Sequence, residues 1–194
     1  PKRTLEIAQK LYVNGWTSYP RTSSQQLDPK LGFKNILTQL SKQAKYKDLA
    51  AELLAKKELK PNNGKKTDPA HPAVYPTGTF PDKELHDRER KIYDLIVKRF
   101  MATFAEPATR ETQTVELDVK KEIFSTKGTR TTDAGWHRFY EPYVRLEEIT
   151  LPKMVKGKTV TVSNIESLDK ETQPPKRYNQ SSIIKELEKR NLGT

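Results

Sequence analysis

The chain has 194 residues, 36 Lys and Arg against 25 Asp and Glu, three histidines and no cysteine. The absence of cysteine excludes disulfides and thiolate metal sites, and no apolar run approaches the roughly 18 residues that a membrane-spanning helix needs. A net charge of +11 and a mean hydropathy of −0.86 put a polyanionic partner first, nucleic acid ahead of membrane, and lead to the expectation of a soluble, cytoplasmic protein.

Residues 4–15 place Leu5, Ala8, Leu11 and Tyr12 on one helical face that ends at Gly15. "WTSYPRTSS" (16–24) follows as an extended segment or turn. A second helical region spans 34–56, with Ile36, Leu37, Leu40, Leu49, Leu53 and Leu54 as its apolar positions and a break near Tyr46. Residues 56–69 form a basic loop bearing Asn, Gly and Pro. "AHPAVYPTG" (70–78) carries two prolines and is excluded from a helix interior. A third helix is predicted from Asp82 to Phe104, with Leu85, Ile92, Leu95, Ile96, Phe100 and Phe104 as its stripe.

After Pro107 the period changes. Val115, Leu117 and Val119 alternate with Thr114, Glu116 and Asp118, the pattern of a half-buried strand. "KEIFST", "WHRFYEPYVRLEEI" and "KTVTVSNI" read as further strands, with "TKGTRTTDAG" as a Gly-bearing turn. A capped helix is predicted in "KRYNQSSIIKELEKRNLG" after the "TQPP" break. The fold class expected is α+β and multi-domain: mainly helical to about residue 107, mainly β beyond it, and a short C-terminal helix. The chain lacks an initiator Met and opens and closes on helix-like patterns, so both ends are expected to be cuts through a longer protein.

Tyr19 is the first candidate for chemistry. Pro20 biases it toward extended backbone, and in an extended segment residues i and i+2 share a side, so Tyr19 and Arg21 can meet one phosphate together. The planar guanidinium suits two phosphoryl oxygens. Thr22, Ser23 and Ser24 add short donors. A phenol in water is only about one part in a thousand ionised at neutral pH, so attack on phosphorus needs cations nearby. The plain alternative is a core aromatic beside a turn. His71 is the second candidate, set on a loop stiffened by Pro72 and Pro76, where it can supply a proton or a hydrogen bond to phosphate; its plain alternative is a loop histidine bonded to its own backbone. His86 and His137 have no such setting. The histidines do not space as a metal site, no acidic cluster resembles a magnesium cage, and no glycine-rich phosphate loop is present. Cationic clusters at 56–66, 88–99 and 153–158, with Arg177, read mostly as solvated faces. Tyr93, Phe100 and Tyr178 beside such charges read as core rather than as base-stacking platforms.

With these motifs in hand the sequence resembles a type IA DNA topoisomerase, of the archaeal topoisomerase I branch. "TLEIAQKLYVNGWTSYPRTSS" resembles the helix and Tyr-x-Arg-Thr motif of that family, "AHPAVYPTG" its Ala-His-x-Ala loop, and "QPPKRYNQSSIIKELEKRNLGT" its Pro-Pro-x-Arg-Tyr segment and following helix. The resemblance implies that Tyr19 attacks the DNA backbone, that Arg21 positions the scissile phosphate and that His71 lies beside it. Arg21, Thr22, Ser23 and Arg177 are then expected to contact DNA, chiefly single-stranded. Ser23 departs from the family, where many members carry Asp after the Thr, and Tyr75 stands where bacterial members often have Arg. By the same resemblance, 1–107 corresponds to a helical, CAP-like gate domain, 108–170 to part of a β-rich arch domain, and 171–194 to the start of a strand-binding domain. The magnesium-binding acids and a catalytic Glu and Lys are expected from a Toprim domain in the rest of the polypeptide, so this piece alone is expected to be inactive, and no metal site is expected in it. The implied reaction cleaves and religates one strand through a 5′-phosphotyrosine, without ATP, to relax supercoils. A non-catalytic, basic, single-stranded nucleic-acid-binding module, with Tyr19 structural, explains the charge equally well but not the Tyr-Pro-Arg and His motifs together. A tyrosine recombinase fits poorly, since its tyrosine falls late in the chain.

Overall fold

The computed structural model describes residues 1–81 and 85–192. Lys2–Leu151 is one compact unit, and the described residues from Pro152 onward, with Pro1, make a second. Among the described residues there are six α-helices, one 3-10 turn and a two-stranded sheet, an α+β composition.

The first helix, α1, runs Lys2–Val13 and buries Leu11 completely. Gly15 ends it at φ +75°, donating to the Tyr12 carbonyl (2.8 Å), while Trp16 donates to the Leu11 carbonyl (3.0 Å). These two bonds satisfy carbonyls that the helix leaves open, and a residue with a Cβ is strained at that φ. Tyr12, expected on the buried face, is 41% exposed. The turn delivers Trp16 into the core and starts the extended segment that follows.

α2 (Phe33–Leu40) and α3 (Lys47–Leu54) form a hairpin, and the break falls at residues 41–46, as the spacing predicts. α4 (Asp87–Ala102) packs against α1 and α3. Its start differs from the expected Asp82, and residues 82–84 lie outside the described set. Glu89 accepts from the His86 backbone N–H (3.2 Å), closing the first turn of α4. Tyr93, Val97, Phe100 and Met101 are fully buried; of the predicted stripe Phe100 and Phe104 are buried, while Leu85, Ile92, Leu95 and Ile96 are half-buried. Phe33, Phe100 and Phe104 pack edge to face at 4.9–6.2 Å between centroids, at the middle of the core.

After Pro107 the chain forms a long antiparallel ribbon of β1 (Thr109–Val119) and β2 (Glu122–Asp133), with Val119 opposite Glu122, Leu117 opposite Phe124 and Glu111 opposite Arg130. Val115, Leu117 and Val119 are the half-buried positions, as the alternation predicts. The turn is Lys120–Lys121, both at positive φ (53° and 74°), with Asp118 accepting from the Lys121 N–H. Such a two-residue turn normally uses Asn-Gly. "TKGTRTTDAG", read as a turn, is therefore mostly strand, because its threonines suit a pleated surface. Gly128 in that strand admits residues 149–151 at close range; a Cβ there would lie 2.6 Å from the Ile149 carbonyl oxygen.

"WHRFYEPYVRLEEI" is not a strand. Its first part is the short helix α5 (His137–Tyr140), and Trp136, Phe139, Tyr140 and Tyr143 repeat at helical spacing. Phe139 is buried in the helical core, and Arg138 pairs with Glu52 on α3. "KTVTVSNI" also forms no strand among the described residues. Val160, Val162 and Ile165 stay exposed, and alternation alone makes no strand without a partner to share backbone hydrogen bonds. In that second unit α6 (Gln180–Lys189) is capped by Asn179, whose side chain accepts from the Ser181 and Ser182 N–H groups. The expected stop at Gly193 lies outside the described residues. Tyr178, read as core, is 61% exposed.

Asp94 ties the helices together. It is 4% exposed and accepts from Tyr46 Oη (2.9 Å) and Tyr143 Oη (2.8 Å), with Lys45 Nζ at 2.7 Å. Burial raises its carboxyl pKa, but the Lys45, Tyr143 and Tyr46 hydrogen bonds outweigh that and leave it below the ordinary value. Burial, followed by the Asp94 charge and hydrogen bond, pushes the Tyr46 hydroxyl up. Asp94→Ala should lower the urea unfolding free energy by about 2–3 kcal/mol, since it strands the buried Tyr46 hydroxyl. Because the folded carboxyl titrates below its unfolded value near 3.8, that contribution is present above pH 3.8 and fades as pH falls through the folded pKa. Equal unfolding midpoints for Asp94→Ala and the parent would show that the network contributes nothing.

Candidate active site

Residues 16–27 run extended between two other stretches of the same unit, 62–66 and 71–77. At its start the segment is laced to the His71 loop. Thr17 and Pro76 form an antiparallel bridge; Ser18 donates to the Tyr75 carbonyl (2.9 Å), Tyr75 donates back to Ser18 Oγ (2.9 Å), and Thr77 donates to the Trp16 carbonyl (3.1 Å). Trp16 and Thr17 are buried, so this lacing is anchored in the core. At its far end Gln25 donates to the Lys66 carbonyl, Gly64 to the Gln25 carbonyl and Ala73 to the Gln26 carbonyl, at 2.8–3.0 Å. Leu27 is buried, and Asn63 bonds both its N–H and its carbonyl. The prolines that exclude helix here leave backbone donors and acceptors with no partner along their own chain, and cross-chain pairing satisfies them.

Tyr19 leaves this lacing half-buried. Its ring lies between two others: Tyr12 meets it edge-on at 5.2 Å between centroids, and His71 lies tilted against it at 4.6 Å. Among the described residues the Tyr19 hydroxyl has no hydrogen-bond partner. The sequence motifs containing Tyr19 and His71, 52 positions apart, are thus brought into direct contact.

Arg21 is exposed and makes no hydrogen bond or ion pair among the described residues. The structure therefore joins Tyr19 to His71 and leaves the guanidinium uncommitted. Thr22 Oγ1 donates to the His71 carbonyl (3.3 Å) and accepts from the Ser24 N–H (3.0 Å), so its proton is already in use. Ser23 lies against Asp68, with its N–H and its hydroxyl each 3.5 Å from Asp68 Oδ2. Arg177 is exposed, in the second unit, with no partner among the described residues. His86 sits just before α4, and His137 is buried edge-on to Trp136.

Two residues at the site were not singled out from sequence. Tyr12 falls at an ordinary apolar position of a helical repeat, and nothing in that repeat marks it as facing Tyr19. Asp68 is legible in hindsight: an Asp two and three residues before the N–H groups it accepts is a turn-capping pattern. Its Oδ1 accepts from Ala70 (2.9 Å) and His71 (3.1 Å). Those two N–H groups, Ala70 first, hold its carboxyl below the ordinary range, with smaller help from the Ser23 N–H and the His71 charge. A carboxylate thus stands beside Ser23 although the position after Thr22 carries none. A cleft of about 590 Å³ is lined among others by Lys30, Asn63, Asp68 and His71.

Among the described residues no three His, Asp or Glu side chains lie close enough to hold a metal ion. No helix is long and apolar enough to cross a membrane.

The family model described as DNA topoisomerase matches residues 1–194. DNA topoisomerase 1 of Pyrococcus horikoshii is 46% identical over 195 residues, covering all of this chain and 28% of its own length. DNA topoisomerase 1 of Methanothermobacter thermautotrophicus is 45% identical over 194 residues, covering all of this chain and 26% of its own length. Human DNA topoisomerase 3-alpha is 32% identical over 193 residues, covering all of this chain and 19% of its own length. The chain therefore spans about a quarter of the archaeal relatives it matches. A match over every residue, including the lacing that brings Tyr19 against His71, places the chain in the type IA DNA topoisomerase family.

Proposed function

We propose that this chain carries the nucleophile of a topoisomerase that cuts and reseals one DNA strand. The observation that carries the reading is Tyr19: its ring is held between Tyr12 and His71 on a segment laced to the His71 loop, its hydroxyl is unpartnered among the described residues, and Arg21 two residues on is unpaired.

In the reaction, Tyr19 Oη attacks the scissile phosphorus. The Oη–P bond forms, the P–O3′ bond breaks, the phenolic proton leaves to a base, and the departing 3′-oxygen takes up a proton. The products are a 5′-phosphotyrosine and a free 3′-hydroxyl. One phosphodiester is exchanged for another, so resealing by the 3′-hydroxyl needs no ATP. Arg21 supplies the fork that neutralises the phosphoryl oxygens as charge develops. His71, beside the Tyr19 ring, is placed to donate to a phosphate oxygen or to hand a proton to the leaving 3′-oxygen. Passage of a second strand through the break before resealing relaxes supercoils.

The substrate strand in this reading is single-stranded, as the resemblance to the family implies. The excess of 36 basic over 25 acidic residues supports the binding. We assign 1–107 to a gate carrying the tyrosine, 108–170 to part of an arch, and 171–194 to the start of a strand-binding region that includes Arg177. The magnesium ligands and further acid and base groups belong to polypeptide outside this chain, which covers about a quarter of its archaeal relatives. The working location is the cytoplasm, with the DNA.

Three outcomes test the reading. In the full-length enzyme, Tyr19→Phe should abolish the covalent protein–DNA adduct while single-stranded oligonucleotide binding persists; an adduct peptide mapping to any other tyrosine refutes the assignment, and binding without any adduct in the parent favours a non-catalytic module. Arg21→Lys, which keeps the charge and loses the fork, should slow single-turnover cleavage by about a hundredfold; an unchanged rate removes Arg21 from the phosphate. The isolated chain should bind single-stranded DNA with an affinity that falls steeply with salt, and should leave supercoiled plasmid unrelaxed on a gel.

A further inference from the structure

We propose that Asp68 is a positioning residue for this reaction, the group that fixes the His71 loop against the segment carrying Tyr19 and Arg21. The inference rests on the reading of Tyr19 as nucleophile given above.

Both polar groups of the His71 peptide are taken from outside its own turn or from its cap. The His71 N–H donates to Asp68 Oδ1 (3.1 Å), and the His71 carbonyl accepts from Thr22 Oγ1 (3.3 Å). The second carboxylate oxygen reaches across to the tyrosine segment, 3.5 Å from both the N–H and the hydroxyl of Ser23. One carboxylate therefore spans the two motifs at the point where His71 and Thr22–Ser23 meet. Pro69 and Pro72 on either side restrict the backbone, so the Asp68 hydrogen bonds choose among few remaining conformations. With its backbone fixed at both ends, His71 has only its side-chain torsions left, and its ring rests on Tyr19.

Stability does not explain this arrangement. Asp68 is half-buried, but three of its four hydrogen bonds lie at the surface, where polar contacts contribute little to folding. Anion binding does not explain it either, since a carboxylate beside an incoming phosphate repels it. The Ala70, His71 and Ser23 donors offset that charge locally and keep the carboxyl ionised through the neutral range. What remains is geometry: a misplacement on the order of 1 Å at a reacting centre slows a reaction far more than it weakens binding.

The test is a double-mutant cycle in the full-length enzyme, reading single-turnover adduct formation on a labelled single-stranded oligonucleotide and, separately, its affinity by fluorescence anisotropy. Asp68→Ala should slow adduct formation about tenfold or more, with affinity held within about twofold. In a His71→Ala background the same substitution should slow it by no more than about twofold, because the group it positions is gone. Asp68→Asn, which keeps an acceptor for Ala70 and His71, should lose less than Asp68→Ala, and it replaces Asp68→Ala in the cycle if the latter lowers the melting temperature. Additive losses, or an unchanged rate for Asp68→Ala, overturn the inference while leaving Tyr19 in place. A parent enzyme that forms no adduct at Tyr19 overturns the functional reading itself.

Discussion

The site depends on one short antiparallel contact, in which residues 16–18 pair with 75–77. Two proline-stiffened loops, neither able to form helix, satisfy each other's backbone groups there. Buried donors and acceptors left unpaired are costly, so the pairing is enforced as strictly as a sheet register, although it is one bridge long. Everything of chemical interest is within a few residues of it. Tyr19 follows Ser18 directly, and His71 precedes Tyr75 by four positions on the same stiff loop.

The helical core serves that contact. The Gly15 turn sends Trp16 inward at a fixed angle, and Trp16 and Leu27 bury both ends of the extended segment. α4 and the Phe33–Phe100–Phe104 cluster supply the mass against which these anchors pack. Asp94 adds direction: by bonding tyrosines from the α2–α3 hairpin and from the stretch after α5, it fixes how the later part of the unit returns to the helices. Side chains pinned at both ends of a loop leave little freedom between, which is how a loop comes to hold a ring to a defined neighbour.

Local signals were legible where a single interaction decided the outcome. Gly15 ends α1 because its φ is positive, the hairpin breaks before Tyr46, and Val115, Leu117 and Val119 alternate because one face of the ribbon is sheltered. Signals failed where distant chain decided. The aromatic run from Trp136 to Tyr143 carries a helical repeat, but only the waiting core makes Phe139 a core residue. Val160 and Val162 have the strand pattern and no partner among the described residues. Lys120–Lys121 turns a hairpin without glycine because β1 and β2 pair over ten further positions and impose the turn. At the site, the Tyr and His motifs were readable singly, and their contact was not. Asp68 was overlooked because a capping aspartate in a loop is common, and only its reach to Ser23 distinguishes it.

The bare hydroxyl of Tyr19 bears on control. No group among the described residues accepts its proton, so under the function proposed above the phenol would stay inert until a strand and a base stood beside it together. An agent that supplied that base, or trapped the ester once formed, would then turn the same reaction into a lesion.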